Sequence, residues 1–153
     1  MITFSVERKT SLAPEEICND IFDVDKWSSF VGYGPIPGIA RATMNAPERS
    51  IIGRKICVEN TDGSKHVETI ISYVPQECLV MRIAEFSPPL QNLATHFIER
   101  WDFSGSHPEY QIVRRFELYP KSRWMALPLW IISRILKVAV VKHTDQLANQ
   151  TNA

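Results

Sequence analysis

The chain has 153 residues, of which 17 are Lys or Arg and 17 are Asp or Glu, so its formal net charge is zero. A surface that binds DNA or RNA normally carries a basic excess, so this balance argues against a nucleic-acid partner. The length suits one domain, and a composition of 44% hydrophobic residues is ordinary for a globular protein with its own core.

The cysteines give a first indication of the cellular compartment. Cys18, Cys57 and Cys78 are widely spaced and odd in number, without a CxxC pair or a Cys/His metal spacing. We therefore expect reduced thiols in a cytoplasmic protein, with no metal and no organic cofactor. The N-terminal residues include charges before any apolar run of signal length, so we expect no secretory signal.

The first elements are expected to be a strand, two short helices and an irregular loop. Residues 2–12 alternate loosely between apolar and polar side chains, which predicts a strand. Pro14 suits a first helical turn and two acidic residues follow it, so a helix is expected to about Phe22. A second short helical piece is expected around residues 25–30, before the Gly/Pro loop at residues 31–38.

The middle of the chain predicts six further strands. Asp62-Gly63 is a strong hairpin signal, and a two-residue loop there pairs Val58 with Val67 and Ile56 with Thr69. This register collects the apolar residues of both hairpin strands on one face. The six strands are expected at residues 39–45, 51–60, 65–74, 78–86, 94–104 and 109–119.

From about Arg123 to Gln150 the apolar period changes to 3.6 residues, which predicts one long amphipathic helix. Charged residues interrupt its apolar run, so we expect it to cover the apolar face of the sheet rather than to cross a membrane. The stripe expected to face the sheet comprises Met125, Leu129, Ile132, Leu136, Ala139, Val140, His143 and Leu147.

The first part of this helix is apolar all round. Trp124, Leu127 and Trp130 fall off the stripe that is expected to face the sheet. Three explanations stay open at this point. These residues are core beneath neighbouring loops, a homodimer contact, or a patch that docks transiently on a membrane.

Several segments together resemble a known superfamily. They are APEEI (13–17), DVDKW (23–27), PGI (37–39), IIGRKICVENTDGS (51–64), YVPQECLVMRI (73–83), ERWDF (99–103) and VRRFEL (113–118), followed by the closing helix. Their order resembles the START-like (SRPBCC) helix-grip superfamily, and within it the polyketide cyclase/dehydrase and lipid-transport branch.

The resemblance implies an α+β fold in which a curved antiparallel sheet of six to seven strands wraps around the C-terminal helix. It implies one domain over residues 1–150, a short tail at 151–153, and an internal cavity for an apolar small molecule. Members of the superfamily include cyclases, dehydratases, lipid carriers, hormone receptors and chaperone activators. The resemblance therefore implies no single reaction.

The stretch FIERWDF (97–103) predicts a strand with a carboxylate on its aromatic face. That face carries Phe97, Glu99 and Trp101, together with Phe103. The following strand is expected to point Arg114 inward, because its other face holds Gln111, Arg115 and Glu117. An isolated charge in a dry interior is costly, so Glu99 is expected to pair with Arg114. We expect the pair in a cavity wall, either as a structural ion pair or in contact with a ligand. A β-bulge would instead turn Glu99 outward.

The same alternation of side chains along the strands predicts which face of the sheet four other polar residues occupy. Arg54 and Glu85 are expected on the inner face of the sheet, and His66 and His96 on outward faces. The four histidines of the chain have no metal-ligand spacing, so a metal site is not expected.

The preferred function is binding, and with it transport, of a lipid-like or polyketide-like ligand between the sheet and the helix. One alternative is a cyclase/dehydratase-type enzyme, in which Arg54 or Arg114 polarises a carbonyl or enolate oxygen and Glu99 or His143 moves protons. Another is a protein-interaction module without a ligand. The residues expected to contact the ligand are Trp27, Arg54, Ile56, Thr69, Ile71, Tyr73, Met81, Ile83, Phe97, Glu99, Trp101, Arg114, Phe116, Ile132, Leu136 and His143.

Overall fold

The structure is a computed structural model that describes residues 1–45 and 50–150. The predicted C-terminal tail, residues 151–153, lies outside the described residues. The described strands are β1 (Ile2–Thr10), β2 (Ile39–Met44), β3 (Lys55–Asn60), β4 (Lys65–Val74), β5 (Cys78–Ala84), β6 (Ala94–Ser106) and β7 (Glu109–Pro120), the α-helices are α1 (Pro14–Phe22) and α2 (Ala126–Ala148), and the 3₁₀ helices are Val24–Ser29, Leu90–Asn92 and Arg123–Met125.

Within this described part of the chain, the seven strands form one antiparallel sheet in the order β1-β7-β6-β5-β4-β3-β2. Strands β2 to β7 follow one another as a meander, and the last strand, β7, also pairs with β1. Helix α2 packs on one face of the sheet against β1 and β7. The α+β architecture and the order of strands and helices along the chain, as predicted from the sequence, are confirmed.

The core lies between this face of the sheet and the helices. Under α2, Phe4 of β1 and Phe116 of β7 stack with their ring centroids 5.0 Å apart. Under α1, Ile17 packs with the fully buried Leu79 and Trp101 of β5 and β6. Burial of such large apolar side chains supplies the main stabilisation of a domain of this size.

The β3–β4 hairpin differs from the predicted register by one residue. Its loop has three residues rather than two, because Gly63 adopts a left-handed φ of 84° and donates to Asn60 O at 3.0 Å. The backbone N–H of Asn60 then donates to Ser64 O at 2.8 Å, which is the pattern of a type I turn followed by a bulge. Ile56 therefore pairs with Glu68 instead of Thr69.

A one-residue slip moves every side chain of a strand to the other face. His66, Glu68 and Ile70 of β4 accordingly point inward, and Ile71 is 43% exposed. The prediction that His66 faces outward is wrong for this reason. A bulge just after Ile70 restores the phase, so Tyr73 returns to the inner side against Phe22.

A second correction concerns Glu85, which was predicted to point inward. Strand β5 ends at Ala84, and Glu85 adopts a positive φ of 55° with its side chain exposed. The predicted strand 51–60 also begins later than expected, at Lys55.

Helix α2 buries the expected face and leaves a second apolar face uncovered. Leu129, Val140 and Leu147 are buried, as predicted. Trp124 is 72% exposed and Leu127 is 68% exposed. The interpretation of these off-stripe residues as core is therefore wrong.

The segment Arg123–Ala148 is long and apolar enough to cross a membrane by length and composition, and 22% of its most apolar window is buried. Here its inner face packs on the sheet as the core helix of the fold. Two buried hydroxyls on that face are satisfied within the helix. Ser133 donates to Trp130 O and Thr144 donates to Val140 O, both at 2.6 Å.

Candidate functional site

Two adjoining chambers lie between the sheet and the helices. The first, which we call the Trp27 chamber, has a volume of about 390 Å³ and extends from Trp27 to Gln150 near the end of α2. The second, the proline chamber, has a volume of about 330 Å³ and is bounded by the loops at residues 35–37 and 87–90 and by α2. The chambers share the wall residues Phe30, Ile39, Glu68, Glu99 and Arg114.

Polar side chains meet at this shared wall, and we call the set His66, Glu68, Glu99, Arg114 and His143 the polar belt. Arg114 Nε donates to Glu99 Oε1 at 2.5 Å. The Arg114 and Glu99 side chains are 7% and 6% exposed, so the pair is buried. The predicted contact between these two residues, and the inward direction of both, are confirmed.

The Arg114 guanidinium is held on several sides. Its Nη1 donates to His143 Nδ1 at 3.0 Å and to Thr144 Oγ1 at 3.4 Å. Its central carbon lies 4.2 Å from the Trp101 ring centroid, within the range of a cation–π interaction. Among the described residues Nη2 has no hydrogen-bond partner, and Arg114 lines both chambers. The two N–H groups of this nitrogen are therefore not engaged by the described residues.

The protonation state of His143 follows from its partners. Arginine has no acceptor, so His143 Nδ1 accepts the hydrogen bond and the proton of the neutral ring resides on Nε2. Burial, with the Arg114 charge second, lowers the pKa of His143 to about 3. His143 Nε2, which carries this proton, lies 3.5 Å from Ser29 Oγ. Because the lone pair of the ring faces Arg114, His143 is poorly placed as a general base.

Burial raises the pKa of Glu99, and the Arg114 charge opposes this effect. The nearby carboxylate of Glu68 raises the pKa of Glu99 further. The Trp101 indole N–H is close enough to favour the ionised form of Glu99, although Trp101 Nε1 makes no hydrogen bond of good geometry to the described residues. Glu99 is therefore a carboxyl group that gains a proton more readily than an exposed glutamate does.

Glu68 is the second buried carboxyl group of the polar belt, and it accompanies His66. Asn60 Nδ2 lies 3.4 Å from His66 Nδ1, and His66 Nε2 lies 3.0 Å from Glu68 Oε1. Since the Asn60 amide donates, His66 directs its Nε2–H at Glu68. Two carboxyl groups and one guanidinium thus face the same cavity.

The structure brings together most of the residues predicted to contact a ligand. Whether they bind one stays a prediction. The predicted residues that line a chamber are Trp27, Met81, Ile83, Phe97, Glu99, Trp101, Arg114, Phe116, Ile132, Leu136 and His143.

Five predicted ligand contacts lie outside both chambers. Thr69 and Ile71 are on the outer side of β4 because of the hairpin register. Arg54 precedes β3, where its backbone O accepts from Ile70 N at 3.0 Å, so its predicted role at a substrate oxygen is not supported. Ile56 is buried beside Val58, and Tyr73 packs on Phe22, so neither borders the cavity.

Sequence reasoning missed the inward positions of Glu68 and His66, and the predicted ligand contacts include none of the loop residues that close the proline chamber. The signal for Glu68 was the Asn60–Ser64 segment, where Gly63, the last residue of the loop at 61–63, permits the three-residue loop. The loop residues carry no periodic signal. Those on the chamber wall include Pro35, Ile36, Pro37, Phe86, Pro88, Pro89, Leu90 and Leu93.

No protein-family model and no curated protein matches the sequence. The structure, in contrast, is similar to solved structures over almost its whole length. It matches Ara h 8.0201 with a TM-score of 0.64 and 14% identity over 93% of this chain and 96% of that one. The chain has the START-like helix-grip fold. The fold predicted from the sequence resemblance is confirmed.

Two further structures share this helix-grip fold. The ginseng major latex-like protein 151 from Panax ginseng matches with a TM-score of 0.60 and 10% identity, over 97% of this chain and 99% of that one. DynU16, a putative protein in the dynemicin biosynthetic locus, matches with a TM-score of 0.56 and 12% identity. That match covers 94% of this chain but 47% of DynU16. At these identities the likeness shows the fold alone.

Proposed function

We propose that the protein binds a small hydrophobic molecule, lipid-like or polyketide-like, in the cavity between the sheet and α2. The observation that carries the proposal is the buried Arg114, which lines two mostly apolar chambers and keeps two N–H donors of Nη2 unused by the described residues. A mostly apolar cavity with a few convergent polar groups is the usual form of a small-molecule site. The volumes of about 390 and 330 Å³ lie in the range of such sites.

The polar belt narrows the class of ligand. Glu68 and Glu99 outnumber the single guanidinium of Arg114, and His143 is neutral at pH 7 because its pKa is about 3. An anionic head group would meet two carboxyl groups in a medium of low dielectric constant, where repulsion is strong. A neutral carbonyl or hydroxyl oxygen accepts from Arg114 Nη2 without this penalty. We therefore propose a neutral, oxygen-bearing apolar ligand.

Transport of the ligand and a cytoplasmic location belong to the same proposal. The three cysteines are all free thiols, which is typical of a reducing compartment. We propose residues 1–150 as one functional domain, since both chambers draw their walls from elements along the whole chain.

Native mass spectrometry of freshly purified protein tests this proposal. A bound molecule gives a mass above that of the chain, and denaturation releases a compound that mass spectrometry identifies. Leu136→Trp fills the proline chamber and is expected to remove the adduct. Ile71→Trp places the same side chain at an exposed position of β4 and is expected to keep it. Wild-type protein that never carries or takes up an apolar compound contradicts the proposal.

A second candidate function is a cyclase/dehydratase-type reaction in the same cavity. The raised pKa of Glu99, caused by its burial, favours it, because a carboxyl group that takes up a proton more readily than an exposed one suits general acid–base catalysis. Arg114 Nη2 would stabilise an enolate oxygen, and Glu99 would move the proton. Turnover of a poly-β-keto substrate that Glu99→Gln abolishes, while the variant still binds the substrate, supports this candidate. Absence of turnover in the wild type removes it.

A further inference from the structure

The outward face of α2 carries an apolar stripe that the described residues leave uncovered. Leu127, Trp130, Ile131 and Val138 follow one another at intervals of three, one and seven residues, which places them on one face of the helix. Their exposed fractions lie between 38% and 68%, and Trp124 just before the helix is 72% exposed. We call these five residues the α2 outer patch.

The patch lies in a segment of the sequence whose charged residues are all basic. Between Glu117 and Asp145 the sequence contains no acidic residue, although the whole chain has equal numbers of acidic and basic residues. Two of its cations touch the aromatic rings of the patch. The guanidinium of Arg123 lies 4.8 Å from the Trp124 ring centroid, and that of Arg134 lies 5.2 Å from the Trp130 ring centroid. The cations of the segment are Lys121, Arg123, Arg134, Lys137 and Lys142.

Helix α2 separates the patch from the proline chamber. Ile132 and Leu136 line that chamber from the side of α2 opposite the patch, because a helix turns by about 100° per residue. The 31–38 loop, whose residues 35–37 line the chamber, lies against α2, since Lys142 Nζ is 4.5 Å from the ring centroid of the exposed Tyr33. A surface that covers the patch therefore lies beside this loop, with α2 between it and the chamber.

We propose that the α2 outer patch docks the protein on an anionic lipid bilayer. The amphipathic rings of Trp124 and Trp130 would lie at the depth of the head groups, with Leu127 and Ile131 in the adjoining acyl region. The flanking cations would face anionic head groups. Docking itself is independent of the cavity. Only its purpose, to exchange ligand between the bilayer and the proline chamber, rests on the proposed function.

The charge pattern favours a bilayer over a second copy of the chain. In a two-fold symmetric dimer through this patch, the same surface of each subunit meets its equivalent. Such a contact would bring ten cations from two segments together without an acidic residue of either segment to pair them. An anionic bilayer offers complementary charge to the same surface, and each basic residue near it adds to the attraction.

Flotation with lipid vesicles tests the inference directly. We expect the full-length protein to float with vesicles of phosphatidylcholine and phosphatidylserine, and much less with pure phosphatidylcholine. The double variant Trp124→Gln/Trp130→Gln is expected to lower partitioning about tenfold or more by loss of buried apolar area. Arg123→Gln and Arg134→Gln are each expected to lower it about fivefold. Ile71→Gln removes an exposed apolar residue of β4 and is expected to leave partitioning unchanged.

Three outcomes overturn the inference. In the first, wild-type protein does not bind anionic vesicles, and in the second, the tryptophan double variant binds them as well as the wild type does. In the third, light scattering shows a wild-type dimer that the double substitution dissociates, and neither protein binds vesicles. Binding of an apolar probe to the same proteins is measured without vesicles. Vesicle binding without probe binding contradicts the proposed function alone, and probe binding without vesicle binding contradicts docking alone.

Discussion

Arg114 on β7 donates from Nε to Glu99 on β6 at 2.5 Å, and both side chains are buried against the aromatic ring of Trp101. Neighbouring antiparallel strands bring the two residues together, since Trp101 is the direct partner of Arg114 and Glu99 lies two residues away on the same face. A charge pair at this depth requires both partners, because either charge alone would be buried without compensation. The pair is the structural centre of the polar belt.

The first prediction is a strong energetic coupling between Glu99 and Arg114. In a double-mutant cycle with Glu99→Gln and Arg114→Met, each single change is expected to lower the free energy of unfolding by about 3–5 kcal/mol, because it strands the other group. The double variant should lose much less than the sum of the two. Urea denaturation at pH 7 measures all four proteins.

The matched control is the ion pair of Arg100 and Asp102 on the outer side of β6, which is 45% and 33% exposed. Its coupling is expected to stay below about 1 kcal/mol, because water screens exposed pairs. Additive effects at Glu99 and Arg114, comparable to those of the control pair, would contradict the buried pair.

The second prediction concerns the pH dependence of stability through His143. The folded pKa is about 3, below the ordinary value near 6.5, so only the unfolded chain takes up this proton between those values. Stability is therefore complete above about pH 6.5 and falls on acidification, with a slope approaching about 1.4 kcal/mol per pH unit from this group. His143→Gln keeps an acceptor for Arg114 and is expected to flatten this slope.

Urea denaturation at several pH values between 4 and 7.5 measures the slope for both proteins. His107→Gln, in the exposed β6–β7 turn, serves as the control and is expected to follow the wild type. Parallel curves for His143→Gln and the wild type would show that His143 titrates normally and is not buried against Arg114.

The third prediction tests the register of the β3–β4 hairpin. Ile70 is fully buried, whereas its neighbour Ile71 is 43% exposed. Ile70→Ala is expected to cost about 2–5 kcal/mol of unfolding free energy, as truncation of a packed core residue does. Ile71→Ala is expected to change it by less than about 1 kcal/mol. The reverse order of the two costs would support the two-residue loop instead.

The fourth prediction separates buried from exposed tryptophan. Trp101 is packed beneath α1 and stacks over Arg114, so Trp101→Ala is expected to cost about 3–5 kcal/mol. Trp124→Ala removes the same side chain where it is exposed, and is expected to be nearly neutral in solution. Thermal or urea unfolding of both variants gives the comparison. Equal costs would contradict the burial assigned to these two residues.

The sequence predicted the elements and the inner face of β6 well, because Phe97, Trp101 and Phe103 share one strand face and no bulge lies between them. It failed at β4, where the β-branched residues Val67, Thr69 and Ile71 suggested the wrong inner face. The loop of the β3–β4 hairpin is one residue longer than predicted, and this difference exchanges the two faces of β4. The predicted site therefore lacked both Glu68 and His66. Propensity favours a β-branched face regardless of which side is buried.

The contact of Arg114 with His143 could not be predicted from either element alone. Its geometry depends on how α2 is rotated and placed over β7, which long-range packing determines. The individual wall residues of the proline chamber could not be predicted for a related reason. They lie in irregular loops, in which neighbouring residues share no period that a pattern could reveal.

The central claim is that a neutral, oxygen-bearing apolar molecule binds in the cavity beside Arg114. Titration of the protein with N-phenyl-1-naphthylamine, a neutral probe whose fluorescence rises in apolar surroundings, tests it most directly. We expect saturable binding at one site, which Leu136→Trp abolishes and Ile71→Trp retains. Dodecanol should displace the probe more effectively than dodecanoate. Absence of saturable binding, or equal binding by Leu136→Trp, would contradict the claim.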